Sequence, residues 1–405
     1  MIHDYLKKTL VFILAGGQGE RLYPLTRDRS KPAVPFGGIY RIIDFPLSNS
    51  INADLKKIIV LTQYKSLSLD RHIKTAWNIY SRELDGFIDV VPPQQRIDSN
   101  WYAGTADALF QNIYIIEMEK PEFVLILSGD HVYKMDYRKM LLFHLEKNAD
   151  LTVAAIEIPV EEARRFGVIE VDDESRIVGF EEKPEHPKSV PHKENMAFIS
   201  MGIYAFKTEK LVSYLSQNYK RDGSSDFGRD ILPGIYPTER VYAFDYVNSQ
   251  IDNAYWRDIG TIRSYFEANM DLISVTPQLN LYDREWPIRT YMEQSPPAKS
   301  VFDSEERRGL VIDSIISNGA IISGSITRRC VISPGVKVNS YAEVEDSILM
   351  NDVSIGRHAR IRNAIIDKYV QVPANEVVGY NDAEDKKRFT VSADGIVIIH
   401  KNYIF

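Results

Sequence analysis

The sequence contains a single cysteine, Cys330, among its 405 residues. One thiol can form neither an internal disulfide nor a multi-thiolate metal site, so we expect the protein in a reducing compartment, the cytoplasm. Long apolar runs are also lacking, because none approaches the ~20 residues of a membrane span. The eight histidines show no zinc-ligand spacing such as HExxH. Basic residues are not in excess, and the net charge of −7 disfavours general nucleic-acid binding, which depends on basic patches.

The composition is that of a folded protein, with 44% hydrophobic and 26% charged residues. Up to residue 275, short apolar runs alternate with segments of helical period. The runs predict buried strands at residues 9–14, 57–62, 123–128 and 151–158. Amphipathic helices are predicted around Leu69, Ile73 and Ala76, around Leu109, Ile113 and Ile116, and after an N-cap at Asp136. This alternation predicts an open, largely parallel α/β sheet, which binds ligands beyond the carboxyl ends of its strands.

The periodicity changes after residue 275. Residues 276–299 contain four prolines and predict an ordered connector. Beyond it, apolar residues recur every six positions, with one slip, at Ile326, Ile332, Val338, Val344, Leu349, Ile355 and Ile361. Such a period, with small turn residues between, is typical of a parallel β-helix, and a small β-sandwich is the alternative. We therefore predict two domains, residues 1–275 and 300–405, joined by the connector.

A glycine-rich turn follows the first predicted strand and includes Gly16 and Gly17. Glycines leave backbone N–H groups unobstructed, as a phosphate-binding turn requires. The dinucleotide pattern GxGxxG fails at Leu22, and the P-loop pattern fails because no Gly-Lys-Ser/Thr follows. Arg21 and Lys31 supply positive charge that would neutralise a triphosphate. The alternative is a structural turn beside a solvated basic loop.

Two aspartates are candidate metal ligands. Asp130 comes after the strand predicted at 123–128, where open sheets place their active sites, and Asp258 lies in the segment YWRDIG. Two carboxylates on separate loops are a common way to hold Mg²⁺, which also takes water and phosphate oxygens. Taken alone, Asp130 is equally consistent with a helix cap or a turn residue.

Two further segments are candidates for substrate contacts. Lys183 follows Glu182 and precedes a proline, which suits an anchor for a sugar and its phosphate or, alternatively, a charged hairpin turn. The segment WYAGTADA predicts a helix from about Thr105, whose N-terminus could receive an anion or a ribose hydroxyl. The tripeptide Asp226-Phe227-Gly228 is similar to a kinase motif, but no His-Arg-Asp loop accompanies it, so we do not assign it a function.

These segments, in this order, resemble the bacterial glucose-1-phosphate adenylyltransferases over nearly the whole chain. The glycine turn LAGGQGERL is shared by all sugar-nucleotide pyrophosphorylases. The blocks RIIDFPLSNS, WYAGTADA and YDREWPIRTY are far more specific to the adenylyl branch. Further matching blocks are SKPAVPFGG, SGDHVYKMDY, FEEKP and YWRDIGT.

The resemblance implies a Rossmann-like (GT-A-like) nucleotidyltransferase domain, a C-terminal left-handed parallel β-helix and a homotetramer. It implies the Mg²⁺-dependent reaction of ATP with α-D-glucose 1-phosphate to give ADP-glucose and diphosphate, the committed step of bacterial glycogen synthesis. The triphosphate would be held by Gly16, Gly17, Arg21 and Lys31, and the adenosine by Gln63 and Gly104. Glucose 1-phosphate would be held by Tyr102, Gly167, Glu182, Lys183 and Ser200, and Mg²⁺ by Asp130 and Asp258. Arg21, Lys31 and Asp130 would be the catalytic residues.

Three alternatives remain. A thymidylyl- or guanylyltransferase shares the glycine turn but is not expected to carry WYAGTADA and YDREWPIRTY. A non-catalytic regulatory paralogue would have lost groups such as Arg21, Asp130 or Lys183, all of which are present. An acyltransferase is suggested by the β-helix alone, but such enzymes usually have a longer solenoid, and only His358 is available here as a base.

Regulation is where the sequence departs from the family pattern. Many regulated members read GGKxRIIDF, and that lysine contributes to a site for phosphorylated activators such as fructose 1,6-bisphosphate. Here Ile39 stands in its place, so we expect weak or altered activation, with AMP inhibition still open. Arg41 and three β-helix arginines are candidates for residual anion binding: Arg357, Arg360 and Arg362.

Overall fold

A computed structural model describes residues 2–94, 101–191, 193–222, 226–249, 254–304 and 307–405. Its α-helices are α1 (Ile2–Lys7), α2 (Asp44–Asn52), α3 (Leu67–Ala76), α4 (Thr105–Phe110), α5 (Ile113–Glu119), α6 (Tyr137–Glu146), α7 (Val160–Ala163), α8 (Thr208–Asp222), α9 (Leu232–Ile235), α10 (Tyr246–Ser249), α11 (Ile262–Asp271) and α12 (Asp382–Arg388). Short 3₁₀ helices lie at Glu20–Leu22, Lys31–Ala33 and Arg82–Leu84, and one π-helical turn at Phe227–Ile231. Among the described helices, none has the length and apolar character needed to cross a membrane.

The N-terminal strands are β1 (Thr9–Ala15), β2 (Pro35–Phe36), β3 (Tyr40–Arg41), β4 (Lys57–Thr62), β5 (Phe87–Val91), β6 (Phe123–Ser128), β7 (His131–Lys134), β8 (Leu151–Pro159), β9 (Gly167–Val171), β10 (Ile177–Glu182), β11 (Met196–Lys207), β12 (Val241–Asp245) and β13 (Tyr255–Asp258). The four predicted strands are confirmed within a residue as β1, β4, β6 and β8. The helix predicted through Leu109 and Ile116 is broken into α4 and α5 at Asn112, whose Nδ2 donates to the carbonyl of Ala108 (2.8 Å) and so competes with helical hydrogen bonds.

Nine of these strands form one large mixed sheet, and the pairs β2–β3 and β7–β13 form separate two-stranded sheets. Strands β6, β1, β4 and β5 are parallel neighbours, but β11 runs antiparallel to both β6 and β8, and β9 to β10. The prediction of a largely parallel sheet therefore holds for one half only. Residues 172–176 join β9 to β10, and so short a link permits only antiparallel pairing. In the parallel half, the carboxyl ends of β1, β4 and β6 meet at one edge, where the glycine turn, Gln63 and Asp130 follow.

The C-terminal strands are β14 (Lys299–Val301), β15 (Asp303–Ser304), β16 (Arg307–Arg308), β17 (Leu310–Ile312), β18 (Ile315–Ile316), β19 (Ile321–Ser323), β20 (Ile326–Ile332), β21 (Lys337–Val338), β22 (Glu343–Leu349), β23 (Ser354–Ile355), β24 (Arg360–Ile366), β25 (Gln371–Val372), β26 (Val377–Val378), β27 (Thr390–Val391) and β28 (Val397–Ile399). Long parallel ladders run β17–β20–β22–β24–β28 and β14–β19–β21–β23–β25. This is the predicted parallel β-helix, and the β-sandwich alternative is wrong.

The six-residue pattern gives the β-helix core with one exception. The buried members are Ile332, Val338, Val344, Leu349, Ile355 and Ile361, all in one apolar cluster. Ile326 is only partly buried, whereas its neighbour Thr327 is fully buried and pairs with Val344. Adjacent strand residues point to opposite faces, so the inward register of this turn lies one residue later than predicted.

An apolar row on the outside of the β-helix joins it to the N-terminal half. Val331, Ile348, Ile365 and Ile398 lie in register on successive turns. All four are buried in a cluster that also contains Leu22, Leu25, Val34, Phe36 and residues of α11. The segment that follows the glycine turn therefore packs directly against the β-helix.

Candidate active site

A cavity of about 580 Å³ opens at the carboxyl ends of β1, β4 and β6. With Lys31 excepted, every predicted site residue lines it: Gly16, Gly17, Arg21, Gln63, Tyr102, Gly104, Asp130, Gly167, Glu182, Lys183, Ser200 and Asp258. Lys31 lines an adjoining cavity of about 520 Å³, which shares Gly17, Arg21 and Asp130 with the first. The fold thus brings together residues that the sequence separates by more than 200 positions.

The glycine turn is packed closely at two positions and open at one. A Cβ on Gly16 would lie 3.1 Å from the Cβ of Gln63, and Gly19, with φ of 68°, would place one 2.9 Å from the Cβ of Lys31. These two glycines are required for close approach and for the left-handed conformation. Gly17 has no atom within 4 Å of such a Cβ, so it leaves open space beside the turn for a ligand.

Lys31 links the two candidate metal-binding aspartates. Its Nζ donates to Asp130 Oδ2 and to Asp258 Oδ1, both at 3.0 Å, and the lysine is 4% exposed. Burial opposes the charge of Lys31, but the two carboxylates outweigh it and raise the pKa of the ammonium. Burial likewise disfavours the Asp130 carboxylate, yet Lys31 and His131 hold its pKa well below the usual range. The pKa of Asp258 is lowered against burial by the same two residues.

The donors at this point suit a hard divalent cation. Asp130 and Asp258 contribute carboxylate oxygens that already converge on one positive charge, the Lys31 ammonium. Across the described ranges, no group of three or more His, Cys, Asp or Glu side chains could hold a metal. Two carboxylates are enough to hold Mg²⁺, because this ion retains waters and takes oxygens from substrate phosphates. The residues present therefore fit Mg²⁺ bound together with a phosphate ligand.

The opposite end of the cavity is built from β9, β10 and β11. Lys183 has φ of 50°, its backbone N–H donates to the carbonyl of Phe166 (3.0 Å), and its Nζ is 3.0 Å from Glu182 Oε1. A Cβ on Gly167 would clash with the ring of Phe180 and lie 2.9 Å from Glu182 Oε2. Glycine at 167 thus allows Glu182 to turn into the cavity with Lys183 beside it. Both side chains line the cavity, and they also form the ion pair that a charged turn would show.

The third side of the cavity is the WYAGTADA segment. Helix α4 begins at Thr105, as predicted. The Tyr102 hydroxyl accepts from Asn112 Nδ2 (2.9 Å), and the Tyr102 carbonyl accepts from Gln63 Nε2 (3.4 Å). Asp107 Oδ2 accepts from the backbone N–H of Ala103 (2.8 Å). These bonds shape the loop that brings Gln63, Tyr102 and Gly104 to the cavity.

The structure adds cavity residues that the sequence analysis left out. Asp226 and Gly228, set aside as a misleading tripeptide, line the cavity. Asp226 accepts from Thr105 Oγ1 (2.8 Å) and from the backbone N–H of Gly228 (3.0 Å). His131 and Arg165 line it as well. The signal for His131 was its position directly after Asp130, whereas nothing local in the sequence marks Arg165.

A second cavity of about 430 Å³ lies between the two halves of the molecule. Ile39, Arg41 and Lys368 line it. Burial and the nearby Arg41 and Arg29 lower the pKa of Lys368 to about 7. The other three candidate arginines are placed elsewhere: Arg357 over the ring of Tyr341, and Arg360 and Arg362 over that of Tyr380.

Comparison with known proteins identifies the families that the two halves of the chain match. The model of the family described as Nucleotidyl transferase matches residues 10–275, and that of the GlmU-like, C-terminal hexapeptide family matches residues 296–399. A glucose-1-phosphate adenylyltransferase of Rhodopirellula baltica is 55% identical, covering 98% of this chain and 91% of the relative. Those of Methylococcus capsulatus and a Shewanella species are 52% and 50% identical, over 97% and 100% of this chain. The chain therefore belongs to the glucose-1-phosphate adenylyltransferase family of nucleotidyl transferases.

Proposed function

We propose that the protein transfers the adenylyl group of ATP to α-D-glucose 1-phosphate, giving ADP-glucose and diphosphate. The observation that carries this proposal is the Lys31–Asp130–Asp258 charge cluster, which lies between an open glycine turn and the Glu182–Lys183 corner of one cavity. A nucleotide triphosphate and a sugar phosphate would meet at that point. Family membership supports the choice of ATP and glucose 1-phosphate.

The chemistry needs little from general bases. A phosphate oxygen of glucose 1-phosphate is already an anion, and it forms a bond to the α-phosphorus as the bond from that phosphorus to the departing diphosphate breaks. The work of the protein is then to align the two substrates and to neutralise charge on the leaving group. Arg21 and Lys31 line the cavity beside the glycine turn and are proposed to hold the triphosphate with Gly16 and Gly17.

Asp130 and Asp258 are proposed to hold Mg²⁺. When bound, the ion supplies positive charge to the triphosphate and its leaving diphosphate. Lys31, which contacts both carboxylates, keeps them ionised and oriented. His131 also contacts the Asp130 carboxylate, since its Nε2 lies 3.5 Å from Asp130 Oδ1.

The remaining residues are proposed to recognise the two substrates. Lys183 would pair with the phosphate of glucose 1-phosphate, and Glu182 and Ser200 would accept or donate hydrogen bonds to sugar hydroxyls, with Tyr102 and Gly167 shaping that end. Gln63 and Gly104 would face the adenosine. All of them line the same cavity.

The test is diphosphate release by the purified protein with ATP, UTP, dTTP or GTP, each with and without glucose 1-phosphate. We expect release with ATP, only when Mg²⁺ and glucose 1-phosphate are both present. A preference for dTTP or GTP would make the protein a different sugar nucleotidyltransferase. No release with any donor, in protein that still binds ATP, would favour the regulatory paralogue.

Assembly and regulation follow from the same proposal. We propose a homotetramer formed through the β-helix, bacterial glycogen synthesis as the destination of ADP-glucose, and the cytoplasm as the location of its substrates. Phosphorylated effectors such as AMP or sugar phosphates are proposed for the cavity that Arg41 and Lys368 line. Light scattering coupled to gel filtration measures the assembly directly.

A further inference from the structure

A buried ion pair connects the loop before Lys31 to the β-helix. Arg29 Nη2 donates to Asp367 Oδ2, and the two side chains are 5% and 1% exposed. Asp367 directly follows β24, and its Oδ1 accepts from the backbone N–H of Lys368 (2.7 Å). The two partners are 338 residues apart in sequence, so only the folded molecule brings them together.

The same loop carries Lys31 at its other end. Ser30 alone separates Arg29 from Lys31. The backbone from Ser30 to Val34 is held by two hydrogen bonds of 3.0 Å, in which the N–H of Ala33 donates to the carbonyl of Ser30 and the N–H of Val34 to that of Lys31. Two residues span at most about 7 Å of extended chain. Because this connection is short, a displacement of Arg29 should also displace Lys31.

Arg29 lies near other basic side chains, so its position depends on the Asp367 carboxylate. Arg29 and Arg41 both oppose a positive charge on Lys368, and Asp367 favours it. Without the Asp367 carboxylate, the buried position of Arg29 would place its charge beside like charges only. Because an unpaired buried charge is costly, we expect the Arg29 side chain to leave this position.

We propose that Arg29 and Asp367 are positioning residues for nucleotidyl transfer. Their ion pair clamps the loop to the β-helix, and the clamp holds Lys31 Nζ between Asp130 and Asp258. The β-helix thereby sets the geometry of a site that none of its described residues lines. The inference rests on the proposed function for its kinetic readout, because misplacement by about 1 Å can reduce the rate of an enzymatic step by ~10²-fold.

The first experiment compares Asp367→Asn with a matched control, Asp394→Asn. Asp394 also pairs across the two halves, at 2.9 Å from Arg263 of α11, but it is exposed and its partner lies outside the Lys31 loop. We expect Asp367→Asn to lower kcat at least about tenfold and to change KM for glucose 1-phosphate less than twofold. Asp394→Asn should leave both constants unchanged. A wild-type kcat in Asp367→Asn would overturn the proposal.

A double-mutant cycle shows whether the effect passes through Lys31. In a Lys31→Ala background, Asp367→Asn should cost less than about threefold in kcat, because the group it positions is already gone. Equal costs in both backgrounds would show that Asp367 does not act through Lys31, and the positioning role would be rejected. If Asp367→Asn does not fold, the same cycle is run with Arg29→Lys, which keeps the charge but shortens the reach.

Hydrogen exchange measures the clamp without any activity. Amides of residues 26–34 should exchange faster in Asp367→Asn than in wild type, while those of β22 and β24 stay protected. Unchanged exchange at residues 26–34 would refute the clamp. If wild-type protein forms no ADP-glucose, the proposed function fails, yet the exchange experiment still decides whether the ion pair fixes the loop.

Discussion

The α/β sheet and the β-helix differ in where they place apolar packing and polar side chains. In the sheet, Gly16, Gln63 and Asp130 stand on loops just after buried strands, so the strands carry the packing and the loops line the cavity. In the β-helix, Ile322, Val338 and Ile355 repeat one inward position on successive turns. A single substitution in the loops should therefore change chemistry more than stability, and one in the β-helix should do the reverse.

We expect the largest effect from a substitution in a loop that lines the cavity. Asp130→Asn should lower kcat by about 10²–10³-fold, because it removes preorganised charge at the proposed metal site. The melting temperature should barely change, since Asp258 still pairs with Lys31. Steady-state kinetics and calorimetry on the same sample test both parts. Turnover above a third of wild type would contradict the assignment, and Asp258→Asn should behave similarly, with partial rescue by raised Mg²⁺.

The second prediction tests the β-helix side. Val338→Asp should lower the free energy of unfolding by roughly 3–5 kcal/mol, because it buries a carboxylate with no partner. We expect loss of solubility or of assembly in gel filtration, with KM values unchanged in any folded fraction. Lys337→Asp is the matched control, as it adds the same carboxylate to the exposed neighbour on β21. Normal assembly of Val338→Asp would contradict the inward register.

A third prediction sharpens the comparison within the cavity. Lys183→Ala should raise KM for glucose 1-phosphate by about 10–150-fold, the worth of a charge-assisted hydrogen bond. Because the lysine is proposed to bind ground and transition states alike, kcat and KM for ATP should change little. Lys188→Ala, which removes an exposed partner of Glu170, is the control. Equal effects on both substrates would show that Lys183 acts through its ion pair with Glu182 instead.

We expect the smallest effect from a substitution of Ile39, in the cavity between the two regions. Ile39 lines the second cavity with Arg41 and Lys368, so Ile39→Lys would add another basic side chain there. We expect fructose 1,6-bisphosphate to activate wild type weakly and Ile39→Lys more strongly, measured as a titration of rate. Ile39→Met keeps the length without the charge and should behave as wild type. Strong activation of wild type at micromolar concentration would refute the importance of this position.

Much of the candidate site could be predicted because its signals are local. Strands β1, β4 and β6 are short continuous apolar runs, and the residues that follow them must meet at one sheet edge. The antiparallel half was missed because strand–helix alternation says nothing about the direction in which β11 returns. Asp226 was missed because its partner, Thr105 Oγ1, is 121 residues away.

The sequence by itself determined the elements, the six-residue repeat and the residues at the strand ends, because each depends on neighbours a few positions apart. The tertiary structure alone decided the outward row of Val331, Ile348 and Ile365, the Arg29–Asp367 pair and the meeting of Lys31 with two distant aspartates. Those contacts depend on which surfaces of the sheet and the β-helix face each other. Burial makes each of these cations dependent on its partner. Arg29 and Lys31 are near neighbours in one basic loop, yet Arg29 pairs with a carboxylate of the β-helix and Lys31 with two carboxylates at the edge of the sheet.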